Sequence, residues 1–227
     1  MSIDRVTSTS QGTNRVPDAV VQLGFWAAVL STVFAMAFNV AAILERLGVP
    51  APPWDLIPLM APSIFLALAF VVLMVCVHYY VPEERRVWTL VGLAFAIIYA
   101  VLVSIVYFVQ LTVVLPRMLA GEGESVGVLL FTSFDSFMYA LDVLGYGLMS
   151  LATLFAAWGF EGSKLERAIR QAMIANGVLA PIVPLQMIFP VLLFVSAIWI
   201  VTLPLSTILL AILFRRAVKR SSTRQTS

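Results

Sequence analysis

From Ala19 to Leu44 the chain carries no charged residue, and the same is true from Leu56 to Tyr80. A helix needs about 20 apolar residues to cross ~30 Å of hydrocarbon, and each run meets that length. No other feature constrains the fold as tightly. The rest of the composition agrees: hydrophobic residues make up 61% of the chain and charged residues 11%, against about 25% charged in a soluble domain. Once the apolar runs are assigned, no segment is left that would fold as a soluble domain.

The runs resolve into six helices of an all-α bundle. The first, 19–44, is too long for the ~7–15-residue core of a signal peptide and reads as a retained span. It ends in Glu45-Arg46-Leu47-Gly48 and a stiff loop, VPAPPWD. The second is 56–80. Pro82 suits a first helical turn, and Glu83 and Glu84 favour the positive end of the next dipole. The third helix is then 88–115, with Pro116 as its stop. Val126–Phe160 is too long for one span, ~52 Å as a helix. The run is expected to break at TSFDS, with Asp135 capping a fourth helix at 136–160 and 126–132 lying along the interface or dipping into it. Ser163 and Glu166 form a capping box that opens a fifth helix at 164–188, and Glu166 and Arg170 stand at i,i+4 spacing. Asn176-Gly177, Pro181 and Pro184 interrupt it. The sixth is 191–214, with Pro204 inside. Residues 1–17 and 215–227 are polar tails around a single bundle, 18–214.

Six spans place both termini on one side. That side collects twelve of the 14 Lys and Arg residues, and the other holds only Arg46 and Arg117. The positive-inside rule therefore puts both termini in the cytoplasm. The expected location is the inner, plasma membrane of a prokaryote, crossed several times. The C-terminal cations serve this topology, so no nucleic-acid partner is expected.

With that orientation, Asn39, Tyr107, Gln110 and Gln186 fall near the outer ends of helices one, three and five. Asp135, Tyr139, Asp142 and Tyr146 share one face of helix four by their 3–4 spacing. Ionisable groups cost about 2.5–3.5 kcal/mol at membrane depth and usually face the bundle interior or a wet cavity. These eight residues are the candidate ligand or ion site, a polar pocket open to the outside. Asp142 is its sharpest member, because no cationic side chain lies at its depth. An acid placed in low dielectric without such a partner takes up a proton or a cation.

The triplet Gly145-Tyr146-Gly147 invites comparison with a potassium filter. Such filters present T-V-G-Y-G carbonyls and need a full helix afterwards. Between Gly147 and Phe160 only ~20 Å of helix remains. The glycines are expected to permit close helix packing instead.

One cysteine, Cys76, and one histidine, His78, exclude an internal disulfide, a multi-histidine metal site and more than a single imidazole for catalysis. No phosphate loop, dinucleotide fingerprint or hydrolase elbow is present. No cofactor and no metal are expected, and enzyme action on lipid through Asp135 and Asp142 is the weaker expectation. The leading one is a membrane protein that binds and translocates a small cation or polar solute, with proton coupling through Asp142. The alternative is a receptor, lipid-binding or accessory subunit that transports nothing. Membrane lipids are expected partners, and so bundled a chain suits a homo-oligomer.

Overall fold

The computed structural model describes residues 16–225. All regular elements among them are helical. Six helical segments are long and apolar enough to cross a membrane: Asp18–Arg46, Leu56–Tyr80, Glu83–Leu119, Phe137–Ala157, Lys164–Leu185 and Pro190–Arg220. This is the architecture of a multi-pass membrane protein. Arg5 and Arg15 of the N-terminal tail lie outside the described residues.

Helices α1 (Asp18–Arg46) and α2 (Leu56–Tyr80) follow the two uncharged runs that define them. α3 (Arg86–Val109) opens after a 3-10 turn at Glu83–Arg85. The expected stop at Pro116 does not occur. A π-turn at Gln110–Val114 passes the chain into α4 (Leu115–Leu119). Proline cannot donate to the carbonyl four residues back and crowds it. The π-turn moves the bonding register by one residue, Leu115 N–H reaching the Gln110 carbonyl. Pro116 then occupies the first turn of α4, where a missing N–H costs nothing.

Between α4 and α5 (Phe137–Ala157) the segment 123–136 stays at the bundle end. Gly123–Leu129 is a 3-10 turn that buries Val126 and leaves Val128 exposed. The cap of α5 is Ser136, not Asp135. Phe134 takes a left-handed φ of 65°, and Ser136 is extended. That path brings the Ser136 hydroxyl to Tyr139 N–H at 3.1 Å and Thr132 N–H at 3.0 Å, and leaves Asp135 exposed.

α6 (Lys164–Gly177) starts on the expected capping box, Ser163 Oγ accepting from Glu166 N–H and Glu166 Oε2 from Ser163 N–H. Arg170 turns to Trp158, its guanidinium 4.3 Å from the ring centre. The fifth span then breaks, as its prolines require, leaving α7 (Ile182–Leu185) as one turn. The sixth span is less regular than expected. A 3-10 turn at Pro190–Leu192 and α8 (Leu193–Ser196) precede α9 (Trp199–Gln225). α9 runs through Phe214 and carries the basic tail as helix. Arg215, Arg216, Lys219 and Arg220 all lie within this helical extension.

Packing closes the spans into a ring: α1 against α2, α2 against α3, α3 against α5, α5 against α6, α6 against α9, and α9 back on α1. One end holds the start of α1 and the end of α9, and we call it the termini end. The other holds the turns 47–55, 120–136 and 186–192, and we call it the loop end. α2 and α5 lie deepest, 56% and 61% buried in their apolar windows against 33% for α1. Whatever faces inward from α5 therefore meets the centre of the ring. The glycines of α5 allow this depth. A Cβ on Gly145 would stand 2.7 Å from Val103 Cγ1, and one on Gly147 2.9 Å from Pro184 Cγ.

Candidate functional site

α5 carries Tyr139, Asp142 and Tyr146 into the interior, all three buried. Asp142 is 7% exposed and lies five residues past Phe137, ~8 Å along the helix. Its Oδ1 is buried and meets no hydrogen-bond donor of the protein. Asp135, expected on the same face, is exposed at the loop end and takes no part in this cluster.

α3 supplies the other wall. Tyr107 stands beside the Asp142 carboxyl and donates to Tyr146 Oη at 3.0 Å. Tyr99, fully buried, sets its ring 5.7 Å from that of Tyr146. From α2, Ser63 neighbours the Tyr146 hydroxyl. From α9, Trp199 lies tilted against the Tyr146 ring at 5.0 Å. Four spans thus meet around Tyr146, one helical turn from the acid. Sequence reasoning did not find Tyr99, Ser63 or Trp199. For Tyr99 a signal existed: Tyr99, Val103, Val106 and Gln110 recur at 4-3-4 spacing, one face of a helix.

The segment 123–136 covers this cluster from the loop end. Phe131 and Phe134 both set their rings edge-on to Tyr139, at 5.4 and 5.3 Å. Gln110, 1% exposed, fastens the cover by donating to the Leu129 carbonyl at 2.6 Å.

Two of the three predicted amides donate to backbone carbonyls, and the third accepts from a serine hydroxyl across a helix break. Asn39 donates to the Ile200 carbonyl at 3.0 Å. This is the carbonyl that Pro204, four residues on, cannot use. Gln110 serves the Leu129 carbonyl, and Gln186 Oε1 accepts from Ser196 Oγ at 3.4 Å across the α7–α8 break. The donors of Asn39 and Gln110 are therefore spent away from Asp142. Their carbonyl oxygens, Asn39 Oδ1 and Gln110 Oε1, are buried without a donor.

Magnitudes separate site from scaffold. An acid at membrane depth costs about 2.5–3.5 kcal/mol. A hydrogen bond between membrane helices returns about 0.6 kcal/mol on average. One phenol neighbour does not offset the cost, and a purely structural acid would use both oxygens. Asp142 keeps one unspent. Chemically, the arrangement offers one carboxylate oxygen and a shell of phenol hydroxyls and aromatic faces. It suits a proton or a positively charged group.

Comparison with known proteins yields no relative: no family model, no curated protein and no solved structure matches the chain. The site is read from its own chemistry.

Proposed function

We propose that this chain is a membrane transporter that binds and translocates a small cation or polar solute at Asp142, with proton coupling through the same carboxyl. The observation that carries the proposal is the buried Oδ1 of Asp142, left without a donor one turn from Tyr146, where four spans meet. In our reading Tyr107 and Tyr146 are the adjacent hydrogen-bonding groups, and Tyr139 with Phe131 and Phe134 forms the gate. Gln110 holds the gate shut through Leu129, and Asn39 and Gln186 hold the broken spans around the site. The Lys/Arg distribution supports cytoplasmic termini and an outward-facing loop end, in the plasma membrane of a prokaryote.

Uptake by the purified protein in proteoliposomes, measured across pH, tests this. We expect saturable uptake that changes with pH, and Asp142→Asn to remove both uptake and its pH dependence while the protein still elutes and melts as a folded species. Unchanged uptake and pH dependence in Asp142→Asn overturns the role of Asp142. No flux from the native protein, together with a stoichiometric lipid or protein partner in native mass spectrometry, overturns transport in favour of a receptor or accessory subunit.

A further inference from the structure

The loop end above the site is acidic. Glu45, Asp55, Glu122, Glu124 and Asp135 stand there against Arg46 and Arg117, five carboxylates to two guanidiniums, a formal charge of −3 among the described residues. One of the two arginines is already paired, Arg117 with Glu122 at 3.5 Å. A mouth of one sign concentrates ligands of the other. Whatever reaches Asp142 from this end is selected for positive charge.

The inner shell then discriminates among cations. Calcium takes about six to eight oxygens and magnesium about six, with carboxylates among them, and zinc takes about four ligands drawn from His, Cys, Asp and Glu. Among the described residues no three His, Cys, Asp or Glu side chains converge, and Asp142 is the lone carboxylate of its cluster. Its surroundings are rings. Tyr107 adjoins the carboxyl, Tyr139 lies a turn above, and Tyr146 stands between Tyr99 at 5.7 Å and Trp199 at 5.0 Å. Aromatic faces attract organic cations through the ring quadrupole and also bury their carbon substituents. One carboxylate with several rings is a donor set for an ammonium group carrying carbon, and a poor one for a bare metal ion.

We infer that the ligand of this site is an organic monoammonium ion, its nitrogen facing Asp142 Oδ1 and its carbon substituents among Tyr107, Tyr139 and Tyr146. This rests on the transport reading above and names its substrate class. Phe131, Tyr139 and Phe134 close over the acid, so such a ligand enters when the cover held by Gln110 lifts.

Trp199 reports on the site because it touches Tyr146. The full-length protein in nanodiscs is titrated with tetramethylammonium, butylammonium and phenethylammonium chlorides, and with NaCl and KCl at matched ionic strength. Tryptophan fluorescence and melting temperature are read. At least one organic ammonium should give a saturable signal and raise the melting temperature. Trp199→Phe should lose the fluorescence change and keep the thermal shift. Asp142→Asn should weaken binding at least tenfold. Tyr139→Leu, which keeps the carboxylate, should weaken organic ammonium binding and spare any response to Na+ or K+; an unchanged ammonium affinity there overturns the inference, even if Asp142→Asn proves unstable. An Asp142-dependent response to Na+ or K+ alone overturns the organic class and leaves the transport reading standing, as does Asp142-dependent proton flux with no ammonium response. If Asp142→Asn changes neither binding nor flux, both readings fall.

Discussion

Two buried polar groups near the centre of the ring, Asn176 and Asp142, are built on opposite principles. Asn176 of α6 is fully buried and engages both of its polar atoms: Nδ2 donates to Thr153 of α5 at 3.0 Å, and Oδ1 accepts from Thr202 of α9 at 2.9 Å. One amide thereby ties three spans together. Asp142 is about as deep and has more polar neighbours, yet its Oδ1 has no donor. A closed knot serves the scaffold. An open one is held at cost, and here it is on an acid. The difference teaches that burial and polarity do not by themselves mark a site; unpaired oxygens also occur on Asn39 and Gln110, and what sets Asp142 apart is that its unpaired oxygen belongs to an ionisable group.

The comparison can be broken in several places. The largest effect is expected from Asp142→Asn, at least a hundredfold loss of transport, about 2.8 kcal/mol at ~1.4 kcal/mol per decade. Its melting temperature should hold or rise, since an ionisable group leaves the membrane interior. A loss of stability instead would make Asp142 a second Asn176. Asn176→Leu should do the reverse, destabilising the bundle by about 2 kcal/mol because Thr153 and Thr202 both lose a partner. Denaturation in mixed micelles reads this, and the variant that survives should bind ligand normally. Gly177→Ala sharpens the point. A Cβ there would lie 2.5 Å from Leu154 Cβ and 2.7 Å from its Cα, and backbone cannot step aside. A cost of about 1–2 kcal/mol is expected from overpacking, along with separation of α6 from α5. Tyr107→Phe should be the mildest for stability, about 0.6 kcal/mol for the lost bond to Tyr146. Its pH profile of uptake should nevertheless shift, because a hydroxyl beside the carboxyl is gone. A flat stability cost with no change in profile would place Tyr107 in the scaffold.

Much of the bundle was legible in the sequence because lipid imposes a length and forbids charge. α2 begins and ends at the residues expected from its uncharged run. The capping box at Ser163 and the fracture of the fifth span follow from chemistry carried by single residues. Errors arose where two local rules compete. Pro116 signals a stop, but a π-turn five residues long removes the conflict and the helix continues to Leu119. Asp135 and Ser136 are both good caps, and the backbone turn at Phe134 decides between them. Nothing in residues 196–198 marks the interruption before Trp199. The site was half legible. Asp142, Tyr107, Tyr139 and Tyr146 were readable as polar groups at one depth. Their neighbours Tyr99, Ser63 and Trp199 were not, since which face of an apolar helix turns inward is settled by packing with other helices. The amides Asn39, Gln110 and Gln186 were readable as buried polar groups, but Asn39 and Gln110 donate to the Ile200 and Leu129 carbonyls and Gln186 accepts from Ser196, partners that only the assembled chain reveals.

The short α6 has a consequence for how the molecule sits in its surroundings. Its 14 residues rise about 21 Å, well under the ~30 Å of a typical hydrocarbon core, whereas α5 with 21 residues rises about 31 Å. The remainder of the fifth span and the start of the sixth, residues 178–198, complete the crossing with single turns, and Ile188, Phe189, Val191 and Phe194 are exposed along it. Straight helices resist a change in bilayer thickness by tilting together. This arc is made of single turns joined by breaks, so thinning or thickening the membrane is expected to act on it before the long helices. Lipid chain length is thus a physical variable that reaches Gln186, Ser196 and Trp199, and through Trp199 the ring of Tyr146 beside the acid.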